Sequence, residues 1–215
     1  LQKTYKHVYI KTCKTCKYKG TFMKFLFYIL FITTLLCQQS LQIDDEKSSV
    51  KWKGTKSTGA YHDGIINVKS SNLQFNKNNQ LIGGEIIIDM NSIICTDIKN
   101  KESNSYLVKH LKNDDFFATD KFPISLLKII NVNVEDNNNY KITADLTIKE
   151  QTHPIEFVAN IIYNNNVGLA SGKIEIDRSK YNIKYKSKSW FPDIGDKFIN
   201  DKFELFFNLL ADKKT

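Results

Sequence analysis

Hydrophobic and polar residues alternate with a period of two along most of the chain after Asp45, which is the pattern of half-buried β-strands. The clearest example is 140–148, where Tyr, Ile, Ala, Leu and Ile are separated by Lys, Thr, Asp and Thr. Near Ser70 and Ser71 the alternation changes phase, which predicts a β-bulge. The alternating runs lie at 50–53, 66–75, 86–90, 140–149, 155–161, 174–176 and 203–209.

Clusters of Asn and Asp separate several of these runs. They occupy 76–79, 136–139 and 164–166, the last followed by Gly168. Asn and Asp tolerate left-handed backbone conformations and hydrogen-bond to their own main chain, so such clusters favour hairpin connections. About eight strands joined in this way predict an all-β, antiparallel sandwich or barrel.

One short helix is predicted around 105–112, because Tyr106, Leu107, His110 and Leu111 fall on one helical face. Sequential hairpins without β-α-β units exclude a doubly wound α/β fold. An eight-stranded barrel has an interior that is either filled by side chains or holds one small ligand. The inward positions are aliphatic and aromatic, and a filled core and an apolar cavity look the same in the sequence.

The sequence from Met23 to Ser40 is typical of a secretory targeting segment. Lys24 precedes an uninterrupted run of apolar residues and threonines over 25–36, which suits a signal peptide and is too short to span a bilayer. We therefore predict a signal peptide at 23–40 and a periplasmic or secreted protein. Residues 1–22 begin with Leu and show no apolar periodicity, and we interpret them as an upstream extension before a start at Met23.

The cysteines add one alternative to simple cleavage. Cys37 ends the apolar run, as in a lipoprotein anchor, but leucines stand where a lipid-attachment motif has small residues, so cleavage is favoured. Cys13 and Cys16 have no second pair to complete a zinc site. Cys95 would then be the single thiol of the exported chain, which excludes an internal disulfide.

The formal charge of +8 does not indicate nucleic-acid binding. Six lysines and no acids lie in residues 1–22, so everything from Met23 onward carries only +2. A nucleic-acid-binding domain keeps a basic stripe on its folded part. We therefore expect no nucleic-acid partner.

No residue pattern indicates catalysis or metal binding. His62, His110 and His153 lack the spacing of metal ligands, and the adjacent Asp114 and Asp115 would point in different directions as a catalytic pair. The chain also lacks the nucleophile and phosphate-binding motifs of common enzyme classes. The sequence predicts a non-enzyme without catalytic residues, metal or cofactor.

Arg178, the single arginine of the chain, follows Asp177 at the end of a predicted strand. It could contact an anionic head group or hold the loop 180–197 by an ion pair, and the structural role is favoured. That loop is rich in aromatic residues, so it either folds over one end of the barrel as a lid, which is our hypothesis, or rests on the outer surface. Its aromatic residues include Tyr181, Tyr185, Trp190 and Phe191.

A series of motifs, in order and at matching spacing, resembles the YceI-like proteins of bacteria, which are lipid- or polyisoprenoid-binding barrels. The likeness covers 48–211 and departs from the family pattern at Glu150 and Asn182, where glycines are usual. The motifs are V-K-W-K-G from Val50, G-G-E-I-I-I-D-M-N-S-I from Gly83, H-L-K-N-D-D-F-F from His110 with F-P at 122–123, A-D-L-T-I-K from Ala144, T-H-P-I from Thr152, I-D-R-S-K-Y-N-I from Ile176 and G-D-K-F-I-N-D-K-F-E-L from Gly195.

The resemblance implies an eight-stranded, lipocalin-like antiparallel barrel with one short helix, which carries or sequesters a polyisoprenoid or similar amphiphilic lipid, for example a quinone-like one. The alternative is a filled barrel that serves as a structural or stress-related interaction module. A membrane surface and a second copy of the chain stay open as partners. The residues expected to line the apolar tunnel are Trp52, Ile66, Phe75, Ile86, Ile88, Leu127, Ile142, Leu146, Phe157, Ile174 and Leu205.

Overall fold

The computed structural model describes residues 39–136, 138–164 and 167–212, which form a closed antiparallel barrel of eight strands with one extra strand and one short helix. The predicted fold class is confirmed, and the extra strand was not predicted. The predicted upstream extension and almost all of the predicted signal peptide lie outside the described residues. The strands are β1 (Gln39–Ile43), β2 (Ser49–Lys56), β3 (Tyr61–Phe75), β4 (Leu81–Cys95), β5 (Ile124–Asp136), β6 (Asn139–Ile148), β7 (Gln151–Asn164), β8 (Val167–Asp177) and β9 (Ile199–Asp212).

The barrel closes through pairing of β2 with β9. Each strand from β3 to β8 pairs with the strand before it and the strand after it in the chain. β1 and β2 share one position in the wall. β2 pairs with the first part of β3 and with 199–208 of β9, whereas β1 pairs with 73–75 of β3 and with 211–212 of β9. Between them the chain turns at Asp44, whose carboxylate accepts the N–H groups of Glu46 and Lys47.

The bulge predicted near Ser70 is present. The pairing of β3 with β4 shifts register between Val68 and Ser70. Further along the same pair, Gly84 adopts a φ of 136°, a conformation that side chains rarely adopt. The backbone of β3 lies so close there that a Cβ atom on Gly84 would sit 2.4 Å from the Asn72 carbonyl oxygen. The two strands can therefore approach at this point only with glycine.

The helix α1 spans Lys101–Lys112 and begins four residues before the predicted start. Asn100 caps it by accepting the Ser103 N–H at 2.9 Å. The Asn104 amide then donates to the carbonyl oxygens of Cys95 and Ile98, which holds α1 against the end of β4. Of the predicted apolar face, Leu111 is buried, whereas Tyr106 is largely exposed.

The core lies inside the barrel, where strict alternation places every second side chain. In β6 the five apolar residues from Tyr140 to Ile148 are all buried, and Ala144 is completely inaccessible. A 3₁₀ turn, Arg178–Tyr181, follows β8 and starts the long connection to β9. This connection and α1 cover the same end of the barrel, because residues of both line the second of the two cavities described below.

Candidate ligand-binding tunnel

The first of two cavities inside the barrel has a wholly apolar wall. Its volume is about 980 Å³ when the gaps between the lining side chains and adjoining solvent are counted. Eight strands, β2 to β9, contribute all of this wall. The buried Leu41 of β1 lies beside Gly168 at one end. The lining residues are Val50, Val68, Leu73, Phe75, Leu81, Ile86, Ile88, Leu127, Ile129, Ile142, Leu146, Ile155, Phe157, Ala159, Ile161, Gly168, Ala170, Ile174, Ile176, Leu205, Phe207, Leu209 and Ala211.

The second cavity lies toward α1 and measures about 900 Å³ on the same basis. Strand residues, α1 and two loops form its wall, which contains the polar residues Ser125, Arg178 and Asn200. The other lining residues are Val50, Trp52, Gly54, Ile66, Ile88, Met90, Ile93, Leu111, Phe116, Phe117, Leu146, Ile148, Ile176, Ile183, Ile199, Phe203 and Leu205.

The two cavities adjoin, because five residues line both of them. These come from β2, β4, β6, β8 and β9, so the shared wall surrounds the interior. We call this group the waist: Val50, Ile88, Leu146, Ile176 and Leu205. The two cavities therefore adjoin along the barrel and meet at the waist, and we refer to them together as the tunnel.

All eleven residues expected from the sequence line this tunnel. The second cavity contains Trp52 and Ile66, and Ile88, Leu146 and Leu205 belong to the waist. That they contact a lipid stays a prediction. The remaining six line the first cavity: Phe75, Ile86, Leu127, Ile142, Phe157 and Ile174.

Sequence reasoning missed two groups of lining residues. Small residues widen the first cavity, among them Gly168 and Ala170 on β8. Both residues lie on the inward-facing phase of the alternation in β8, and this phase was the signal that could have identified them. Phe116, Phe117 and Ile183 line the second cavity from segments outside the strands, where no periodicity indicates which side chains point inward.

Arg178 holds the loop that closes the α1 end. Its Nε donates to the Asn200 carbonyl oxygen at 3.1 Å, and Nη1 donates to those of Ile183 and Tyr185 at 3.0 and 2.9 Å. Nη2 donates to the Ile199 carbonyl oxygen at 2.9 Å. The favoured structural role is therefore the one observed, and backbone carbonyl groups are its main partners.

The ion-pair partner of Arg178 is Asp201, whose Oδ1 lies 3.4 Å from Nη2, rather than the adjacent Asp177. Asp177 instead accepts the N–H and hydroxyl of Ser179 and caps the 3₁₀ turn. Burial alone would raise the pKa of Asp201, but hydrogen bonds from Ser187 and Ser189 and the charge of Arg178 lower it below its ordinary value. Asp201 is thus held as a carboxylate beneath the loop.

The predicted lid is only partly a cover. Tyr181, Ile183 and Ser187 are fully buried, and Ile183 lies in the wall of the second cavity. Trp190 and Phe191 face the solvent, with 42% and 51% of their surface exposed. The first half of the loop therefore closes the barrel, and the second half presents aromatic rings outward.

The three histidines among the described residues make separate contacts. His62 Nδ1 lies 2.9 Å from Asp97 Oδ2, His153 Nε2 lies 2.9 Å from the Lys180 carbonyl oxygen, and the His110 ring packs edge-on against Tyr185. Within the described ranges, no group of three or more His, Cys, Asp or Glu residues is arranged to hold a metal ion.

Cys95 is a free, buried cysteine near the end of β4. Its Sγ donates to Asp97 Oδ1 at 3.1 Å, and burial raises the pKa of the thiol. A raised pKa disfavours the reactive thiolate form.

In the part of the chain that the structure describes, no helix is long and apolar enough to cross a membrane.

A closed antiparallel barrel of eight strands is the architecture of lipocalin-like barrels. The family model of the YceI-like domain matches residues 41–211, and the chain belongs to this family. No curated protein sequence matches the chain.

Several solved structures share the fold. BcnA of Burkholderia cenocepacia is 20% identical, with a TM-score of 0.60, over 79% of this chain and 99% of BcnA. A polyisoprenoid-binding domain of Saccharophagus degradans, implicated in plant cell wall breakdown, is 14% identical, with a TM-score of 0.59, over 83% and 99%. The YCEI protein of Campylobacter jejuni is 21% identical, with a TM-score of 0.54, over 70% and 85%.

Proposed function

We propose that this protein is a non-catalytic carrier or sequestering protein for a long amphiphilic lipid of the polyisoprenoid class, held in the barrel tunnel. The observation that carries the proposal is the pair of adjoining apolar cavities with the shared waist. Family membership supports it, as does the likeness to a solved polyisoprenoid-binding domain.

Burial of the chain supplies the affinity in this proposal. Each CH₂ group transferred from water to an apolar site contributes about 0.8 kcal/mol. The first cavity offers only hydrocarbon surface, so a polyisoprenoid would gain from every unit it inserts without needing a specific polar contact. A site of this kind selects for length and apolar character rather than for one chemical group.

The two cavities adjoin at the waist along the barrel. An elongated chain that passes the waist would occupy both cavities. A compact ligand would leave one of them without contacts, so the shape favours an extended ligand.

The proposal includes export. A carrier of this kind would act in the periplasm or outside the cell, after removal of the predicted signal peptide at 23–40. The apolar run at 25–36 supports this location. Fractionation of the native host, followed by mass measurement of the purified protein, would locate the protein and the cleavage site.

Mass spectrometry of an organic extract of the purified protein tests the function directly. We expect a stoichiometric polyisoprenoid or quinone-like lipid. Leu146→Trp, which narrows the waist, should yield a lipid-depleted extract, whereas Val158→Trp, on the exposed outer side of β7, should retain the lipid. An empty extract from native-host protein would contradict the proposal and favour a filled barrel.

A further inference from the structure

Ser125 is the only hydroxyl-bearing residue among the described residues that line the tunnel. It lies near the start of β5, opposite Ile88 of the waist on β4. The pleat places Ser125 on the inward phase, since Leu127 and Ile129 on the same strand line the first cavity. A polar group therefore interrupts the apolar wall at one defined height, on the α1 side of the waist.

The hydroxyl of Ser125 is buried without a partner. The residue is 6% exposed, and its Oγ makes no hydrogen bond to any described protein group. Buried polar groups are normally hydrogen-bonded, since an unpaired one is unfavourable. An oxygen on the occupant of the tunnel would supply the missing partner.

Arg178, the only cationic residue among the described residues that line the two cavities, is already engaged by the protein. Its guanidinium is committed to four backbone carbonyl oxygens and to Asp201. An anionic head group in the second cavity would have to break the loop clamp or stay buried without a counter-charge. Both outcomes are costly, because burial of an unpaired charge is strongly unfavourable.

We infer that Ser125 is the head-group contact of the tunnel and donates a hydrogen bond to the oxygen of an uncharged head group, such as a hydroxyl, carbonyl or ether. The hydrocarbon chain then extends past the waist into the first cavity, whose lining has no polar side chain. This inference rests on the proposed function, and it adds the orientation of the ligand and the chemistry of its head group.

Three probes with the same chain test the inference: geranylgeraniol, the hydrocarbon that lacks its hydroxyl, and geranylgeranyl phosphate. Their affinities are measured by displacement of the fluorescent dye N-phenylnaphthylamine from the purified full-length protein and from Ser125→Ala. Ser171→Ala, which removes an exposed hydroxyl on the outer side of β8, is the matched control. Thermal unfolding of each variant shows that the barrel is folded.

We expect Ser125→Ala to weaken geranylgeraniol binding about fivefold, which corresponds to about 1 kcal/mol. Binding of the hydrocarbon should stay unchanged in Ser125→Ala, and Ser171→Ala should match the parent protein with every probe. The phosphate should bind more weakly than the alcohol in the parent protein, because no free cation lines the tunnel wall that the structure describes.

Two results would overturn the inference while leaving the proposed function intact. One is an equal effect of Ser125→Ala on the binding of the alcohol and of the hydrocarbon. Ser125 would then affect binding through the shape of the cavity and not through a hydrogen bond. The other is tighter binding of the phosphate than of the alcohol. If none of the three probes displaces the dye from the parent protein, the proposed function itself fails.

Discussion

Nη2 of Arg178 lies 3.4 Å from Oδ1 of Asp201, beneath the loop that closes the α1 end of the barrel. Arg178 is 4% exposed, so this pair is largely shielded from solvent. The same guanidinium holds both ends of the connection, since it binds the carbonyl oxygens of Ile183 and Ile199. The loop over the α1 end of the barrel is therefore held near both of its ends by one side chain.

Arg178→Met should destabilise the protein by about 3 kcal/mol, because it removes the counter-charge of Asp201 and leaves four carbonyl oxygens without their donor. Denaturation in urea measures the loss. The control is Lys202→Met, which breaks the exposed ion pair with Glu175 and should cost less than about 1 kcal/mol. Equal losses in the two variants would refute the role of Arg178 as the clamp.

Asp201 should make stability depend on acid pH. Its pKa is lowered below the ordinary 3.8, so it contributes stability above pH 3.8 that is lost as the pH falls toward its folded pKa. Asp201→Asn should be less stable than the parent at neutral pH and should show a flatter decline below pH 3.8. Urea denaturation over a series of pH values checks this, and an unchanged slope would contradict it.

Tyr181 should govern stability at alkaline pH. Burial raises its pKa from 10.0 to about 12, with the charge of Asp177 as the second cause. A phenol that ionises less readily in the folded state loses stability as the pH rises from 10 toward 12. Tyr181→Phe should remove much of this loss, whereas the exposed Tyr61→Phe should behave like the parent. Thermal unfolding of the parent protein and of both variants at several alkaline pH values measures the difference, and equal losses of stability in all three would contradict the prediction.

Leu146→Trp should abolish dye binding at a small cost in stability. Leu146 belongs to the waist, and an indole there would fill the space where the two cavities meet. Overpacking of a filled core costs about 1 to 3 kcal/mol, so a loss below about 1 kcal/mol indicates that the space was open. The control is Val158→Trp on the outer surface. A large loss of stability, with dye binding retained, would favour a filled barrel.

Gly84→Ala should destabilise the protein by more than about 1 kcal/mol, because alanine at positive φ is strained. The added Cβ would also lie 2.4 Å from the Asn72 carbonyl oxygen and 2.9 Å from Leu73 Cα. At the neighbouring Gly83, the nearest atom to an added Cβ is the end of the Gln74 side chain at 3.4 Å. Gly83→Ala should therefore be tolerated, and similar melting temperatures for the two variants would refute the prediction.

Strand pleating made most of the tunnel predictable. Because side chains alternate between the two faces, the apolar phase of Tyr140–Ile148 identified the inward residues of β6 without any knowledge of the partner strands. The same rule placed Trp52 and Ile174 on the inner face. Inward position alone could not distinguish a filled core from a cavity, since that difference depends on how the strands close.

The parts that escaped prediction lack a repeating signal. β1 contains too few residues for a period, and it follows directly on an apolar run that was interpreted as a signal peptide. Lys101–Asn104 begin α1 without apolar residues, and the Asn100 cap rather than hydrophobicity defines that start. The partners of Arg178 are mostly backbone carbonyl groups, which every residue possesses and no sequence marks.

The seam between β2 and β9 joins the two ends of the folded domain, with Val50 paired to Phe207. Contacts so distant in sequence form slowly, because the intervening chain must be ordered before they are gained. Until β9 has been synthesised, the growing sheet exposes two unpaired edges, which are prone to aggregate. Folding of this protein is therefore most prone to aggregation before its last step, in which β9 pairs with β2 and converts the open sheet into a closed barrel.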